Sequence, residues 1–114
     1  MNRKSLFEAM KTSVLGKSYD LSVAFVSSEK IKKLNLTYRN INKSTDILSF
    51  PLSKTEGEIY ICLSEAKKEA RKFDRKYENF LGFLFIHGLV HLKGYDHGST
   101  MESIETKFRK QFGI

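Results

Sequence analysis

The only three histidines of this 114-residue chain lie within one short run, His87-Gly88-Leu89-Val90-His91-Leu92-Lys93-Gly94-Tyr95-Asp96-His97. His87 and His91 are four positions apart, so on a helix they project from one face and reach a single ion. Gly94 can adopt the left-handed backbone that ends such a helix and turns the chain back, bringing His97 to the same point. Three neutral imidazoles leave a tetrahedral zinc with one open position, the pattern of a hydrolytic rather than a closed structural site. A lone histidine on an apolar helix face is ordinarily a satisfied core residue. Here every histidine of the chain falls in the ligand pattern, and the metal reading prevails.

The spacing also fits the long zincin signature, with its three histidines and an intervening glycine. It departs where such a protease carries its glutamate base, because this chain has Gly88 there. No carboxylate in the motif can then take a proton from attacking water or pass one to a leaving amine. Peptidase activity is therefore disfavoured. The expected ion is one Zn2+ per chain, although three imidazoles also suit Ni2+ or Co2+.

The elements that must position these ligands follow from periodicity. Leu6, Phe7, Met10 and Val14 predict a helix over 3–15, closed by Gly16. A strand is expected over 21–26, and Ser28 opens a helix carrying Ile31, Leu34 and Tyr38. Strands follow at 47–52, with Pro51 near the end, and at 58–63, joined by a polar turn over 54–57. Helices are expected at 64–73, 77–93 and 100–112, the last opened by Ser99 and Glu102 in capping-box spacing. Strands and helices mix without strict alternation, so the expected fold is α+β, a small mixed sheet packed among about five helices in one domain.

Hydrophobic residues at 40% and charged residues at 29% exclude disordered and membrane classes. The longest apolar stretch, 80–92, is too short to span a bilayer. Glu8, Lys11, Thr12 and Ser13 interrupt any signal-peptide core, so a cytoplasmic location is expected. The single cysteine, Cys62, excludes an internal disulfide and reads as a small core residue.

The net charge of +7 attracts polyanions, RNA foremost. Lys67, Lys68, Arg71, Lys72, Arg75 and Lys76 repeat at helical spacing and would form one positive face if the helix runs through them. The alternative is a solvated face softened by Glu65 and Glu69. Tyr19, Tyr38, Tyr60, Tyr77 and Tyr95 offer rings for base stacking, against the ordinary expectation that most aromatics in a small chain are core.

The histidine segment resembles the H-G-x-x-H-L-x-G-Y-D-H signature of the YbeY family of bacterial metal-dependent endoribonucleases. Asn35, Tyr38 and Arg39, followed by Thr45-Asp46-Ile47-Leu48-Ser49-Phe50-Pro51, resemble the family's second motif, in which an arginine precedes a T-D-V-L-S-F strand. Gly57-Glu58-Ile59 is similar to its G-D-I strand, and Met101 with Glu105 fits the helix after the site. The resemblance spans about residues 19–112. Glu58 stands where an aspartate is usual, Asn42 where aspartate is common, and members tend to be longer at both ends.

That resemblance implies cleavage of single-stranded RNA, maturation of the 3′ end of the small-subunit ribosomal RNA, and a role in ribosome quality control. Its implied partners are RNA, ribosomal RNA and ribosomal particles, with neither membrane nor DNA expected. It places an important arginine at Arg39, whose guanidinium fork suits charge on a phosphate in the transition state. On sequence alone Arg39 serves equally as a surface ion-pair partner. Asp96 could orient a ligand imidazole or simply form the turn, while Asp46 and Ser49 could line a cleft or begin and pack the strand. A metal-binding ribosome-assembly factor without turnover shares all these features. A metalloprotease shares only the histidines.

Overall fold

The computed structural model describes residues 2–95 and 98–114. Helix α1 (Arg3–Leu15) begins where the Asn2 side chain accepts a hydrogen bond from the Ser5 amide at 2.8 Å and ends at Gly16, with φ of 92°. Its buried residues, Phe7, Met10 and Val14, are those of the apolar spacing. Strand β1 (Asp20–Phe25) leads to helix α2 (Ser28–Arg39), which Ser27 caps by accepting from the Lys30 amide. Asn40, in the left-handed region with φ of 58°, stops that helix immediately after Arg39.

Strands β2 (Ile47–Ser53) and β3 (Glu56–Ile61) form an antiparallel hairpin, and β1 runs parallel to β3, giving the order β1-β3-β2. Pro51 is accommodated because β2 is an edge strand, and the register shifts between Pro51 and Ser53. Central β3 places Ile59 and Ile61, both fully buried, toward the main core. On the other face of the sheet, Leu48 packs with Ile31 of α2 and with Cys62, the small core residue its position suggests.

Helices α3 (Leu63–Lys72), α4 (Tyr77–Leu92) and α5 (Ser99–Gln111) complete an α+β fold of five helices and one mixed sheet, as the mixed pattern predicts. Ten of the sixteen residues of α4 are buried, so this helix is apolar all round and is the hub of the core. Phe7 of α1 stacks on Phe85 of α4 with centroids 3.9 Å apart. Burying each such side chain contributes about 1.5–3 kcal/mol.

One local expectation fails, and for the basic repeat the condition of a continuous helix is not met. The N-cap of α5 is Gly98, with no side-chain cap, so Ser99 and Glu102 do not form a capping box. The basic repeat is also broken: α3 ends at Lys72, and Asp74, with φ of 52°, turns the chain before α4. Arg75 and Lys76 therefore lie in the connection, and the six basic residues do not share one helical face. No helix among the described residues is long and apolar enough to cross a membrane.

Candidate metal and phosphate cleft

Helix α4 presents His87 and His91 one turn apart, their rings 5.1 Å between centroids and nearly perpendicular. Both are half-buried at the wall of a cleft of about 620 Å³, and the rest of that helix is packed into the core, so the imidazoles are held on a rigid support. After the helix, Gly94 has φ of 108° and its amide donates to the His91 carbonyl at 3.0 Å, the turn expected before the third histidine. Asp96 and His97 lie outside the described residues. Among the described residues there is no group of three metal-ligating side chains.

The orientation of His87 has a specific cause. Its Nδ1 lies 2.7 Å from Oε1 of Glu105, a carboxylate only 7% exposed on α5. An ionised carboxylate accepts only, so Nδ1 is the donor of this pair, and an ion bound at His87 would take Nε2. This arrangement is the usual support of a metal-bound imidazole. It satisfies the demand a divalent ion makes at His87, namely a neutral ring in one tautomer. Glu105 was legible in sequence only as a partner of Met101 in the last helix. No spacing rule connects it to a histidine eighteen residues earlier.

Gly88 has a packing reason. A Cβ there would stand 2.9 Å from Ser49 Oγ, 3.0 Å from Ile47 Cδ1 and 3.2 Å from Ile59 Cδ1. The helix rests on the sheet at this point, and position 88 faces Ile47 and Ser49 of β2 and Ile59 of β3. The glycine thus removes the protease base and also lets the histidine-bearing helix sit close to β2.

Strand β2 and the end of α2 furnish the facing wall. Arg39, Asp46 and Ser49 line the cleft together with His87 and His91, and Arg39 and Ser49 also border the adjoining groove beside Tyr95. Arg39 is exposed at the last helical position of α2, fixed there by the Asn40 cap. Burial pushes the Asp46 carboxyl above its ordinary value, and repulsion from Glu69 adds to this. Hydrogen bonds from the Asp46 and Ile47 amides and attraction to His87 oppose the shift without cancelling it. A carboxyl whose pKa is raised by burial, lining one cleft with an imidazole and a guanidinium, is the kind of group that working sites hold.

The basic residues of the expected stripe lie elsewhere. Lys68 pairs with Glu65 at 3.4 Å and Lys72 with Glu69 at 2.9 Å on their own helix. None of Lys67, Lys68, Arg71 and Lys72 lines the cleft among the described residues, and Lys76 does not either. Arg75 turns onto the Phe83 ring, 4.6 Å from its centroid, and its guanidinium donates to Asn79 Oδ1 at 2.5 Å. The cleft's second arginine is Arg109 of α5, which the charge pattern did not single out. Of the five tyrosines, Tyr19 is core at 7% exposure and Tyr38 is open at 66%.

Comparison with known proteins places this arrangement in a family. A family model described as endoribonuclease YbeY matches residues 2–113. The endoribonuclease YbeY of Thermosipho melanesiensis is 39% identical over 102 residues, covering 88% of this chain and 71% of its own length. That of Staphylococcus carnosus is 39% identical over 109 residues, covering 85% and 71%. The solution structure of TM1509 from Thermotoga maritima superposes with a TM-score of 0.68 at 31% identity, covering 99% of this chain and 85% of the other. The match runs through both walls of the cleft, from the strand bearing Asp46 and Ser49 to the helices bearing His87, His91 and Glu105, and the chain belongs to the endoribonuclease YbeY family.

Proposed function

We propose that this chain is a single-strand-specific, metal-dependent endoribonuclease of the cytoplasm. Its substrate would be ribosomal RNA, at the 3′ end of the small-subunit RNA, in maturation and in quality control of ribosomal particles. The observation that carries the reading is the oriented imidazole: His87 held by buried Glu105, one turn from His91, in a cleft that also holds Arg39. The named activity of the relatives supports it.

His87, His91 and His97 would hold one zinc ion, which supplies Lewis-acid polarisation of a phosphoryl oxygen and lowers the pKa of a bound water to about 7. Arg39 reaches the same cleft from the opposite wall and offers a bidentate fork to the non-bridging oxygens where charge accumulates. Glu105 keeps the proton of His87 on Nδ1, so Nε2 would be the atom that meets the ion. Asp46 and Ser49 would line the same cleft beside the ligands, with no base role assigned to either. Ser49 fixes the height of the cleft floor by packing against Gly88.

The test is metal content by mass spectrometry, together with cleavage of a fluorescent single-stranded RNA, on protein purified without an affinity tag. About one zinc per chain and metal-dependent cleavage, both lost in His91→Ala, are expected. Wild-type protein that holds zinc and binds RNA but never cleaves it would overturn the enzymatic reading in favour of an assembly factor. Product ends then report the nucleophile, since attack by the RNA 2′-hydroxyl leaves a cyclic phosphate and attack by water does not.

A further inference from the structure

At the end of the cleft away from Arg39, three phenylalanines form a continuous aromatic wall. Phe80 and Phe83 stack at 5.6 Å between centroids, Phe73 stacks on Phe80 at 5.5 Å, and Phe73 lies 6.0 Å from Phe83. Their environments are graded. Phe80 is 1% exposed and anchors the wall, Phe83 is half-buried, and Phe73, which lines both the cleft and the neighbouring groove beside Arg75 and Asn79, is 55% exposed. Two guanidiniums from different elements converge on Phe83, Arg75 from the α3–α4 connection at 4.6 Å and Arg109 from α5 at 5.1 Å. The nearby carboxylate of Glu69 is engaged by Lys72 at 2.9 Å.

Phe83, His87 and His91 succeed one another at four-residue steps on α4, so the aromatic wall begins about 6 Å along the helix axis from the first metal-site imidazole. Phe73 stacks on the buried Phe80 yet keeps 55% of its surface exposed, while the two guanidiniums sit over its neighbour Phe83. Ordinary core packing would bury the Phe73 ring, and ordinary surface pairing of arginine with phenylalanine would not need the open ring. A nucleobase stacked on Phe73, with its phosphate against Arg109, uses every part of the arrangement.

We infer that Phe73, Phe80 and Phe83 with Arg109 form a base-stacking subsite for the nucleotide next to the scissile phosphate of single-stranded RNA. Phe73 is the stacking surface, and Arg109 is the phosphate contact. The inference rests on the endoribonuclease reading and adds to it the residues that select an unpaired strand, because a base held in a duplex cannot lie flat on that ring.

The test measures anisotropy of a fluorescein-labelled oligouridylate with chelator-treated protein, in which binding is read without cleavage. Phe73→Ala is expected to raise Kd about tenfold, within the range of base–aromatic stacking, in a chain that stays folded at the assay temperature although loss of the ring's packing on Phe80 lowers its Tm by a few degrees. Phe73→Trp should keep wild-type affinity. As the sole tryptophan in a chain that otherwise has none, it should lose much of its emission when RNA binds. Wild-type affinity in Phe73→Ala, or tryptophan emission that saturating RNA leaves unmoved, overturns the subsite while the endoribonuclease reading stands. A wild-type chain that neither binds nor cleaves the oligonucleotide removes both.

Discussion

Glu105 and His87 are joined by a 2.7 Å hydrogen bond between helices α5 and α4, and this bond ties the last helix of the fold to the metal-site imidazole. Truncating Glu105 to alanine leaves a largely buried Nδ1–H without its acceptor, which costs about 1–3 kcal/mol. The ring is also freed to rotate or change tautomer. Glu105→Ala is therefore expected to weaken zinc binding about 10–100-fold, the usual effect of losing a ligand's supporting partner. Glu105→Gln, whose amide oxygen still accepts the bond, should lose much less. Competition against a chromophoric chelator gives both values without recourse to activity. Equal zinc affinity in wild type and Glu105→Ala would show that the bond does not orient the ligand.

Gly88 makes a second testable link between packing and chemistry. Adding a methyl group brings it to 2.9 Å from Ser49 Oγ and 3.0 Å from Ile47 Cδ1, so helix and sheet must part or their side chains must shift. Overpacking of this kind costs about 1–3 kcal/mol, while replacing a helical glycine by alanine returns about 1 kcal/mol. Gly88→Ala should then lose about 1 kcal/mol net, roughly 4 °C in Tm, by thermal melting of metal-free protein. Gly88→Glu should be far less stable than Gly88→Ala, since its longer stem starts from a Cβ already crowded by Ser49, Ile47 and Ile59.

Asp46 gives a prediction with a defined sign. Its folded-state pKa lies above the ordinary value of 3.8, chiefly through burial. The folded protein therefore binds this proton more tightly than the unfolded chain does. The contribution is fully favourable at low pH and is lost as pH rises from the unfolded value through the raised one. Asp46→Asn, a neutral isostere, lacks that loss. Urea denaturation at a series of pH values should show the variant gaining stability relative to wild type as pH rises from about 4 toward neutrality. A constant stability difference across that range would mean that Asp46 titrates alike in both states.

The parts of this site that were legible in sequence are those fixed by local periodicity. His87 and His91 share a face because any helix puts residues four apart together, and the T-D-I-L-S-F strand carries its own β pattern. Contacts between elements left no such mark. Glu105 reaches His87 only because α5 docks on α4, and Arg109 enters the cleft by the same docking. The expected helices at 64–73 and 77–93 leave a break here, but the run Arg71-Lys72-Phe73-Asp74-Arg75-Lys76 contains neither glycine nor proline, so the left-handed geometry of Asp74 that shapes the turn is not announced. The phenylalanines at 80 and 83 read as core in an apolar run. Their relation to Phe73 depends on that unannounced geometry.

The two arginines of the cleft should separate in kinetics. Arg109 stands beside the aromatic wall, where it would hold a phosphate in the bound state and the transition state alike. Arg109→Ala should weaken RNA binding and reduce the slope of log K against log salt by about 0.7, the value for one phosphate contact on a single strand. Its kcat at saturating RNA should be nearly intact, because uniform binding does not accelerate the chemical step. Arg39 shares the cleft with the histidine pair, where the proposed mechanism would develop charge on the reacting phosphate. Arg39→Ala should lower kcat about 100-fold or more with a small change in KM, the pattern of a lost transition-state contact. Arg39→Lys should recover the salt slope but little of kcat, since a point charge does not replace a planar fork. Single-turnover cleavage across a salt series measures all three variants together. A kcat defect in Arg109→Ala as deep as that of Arg39→Ala would place the scissile phosphate at the aromatic end of the cleft.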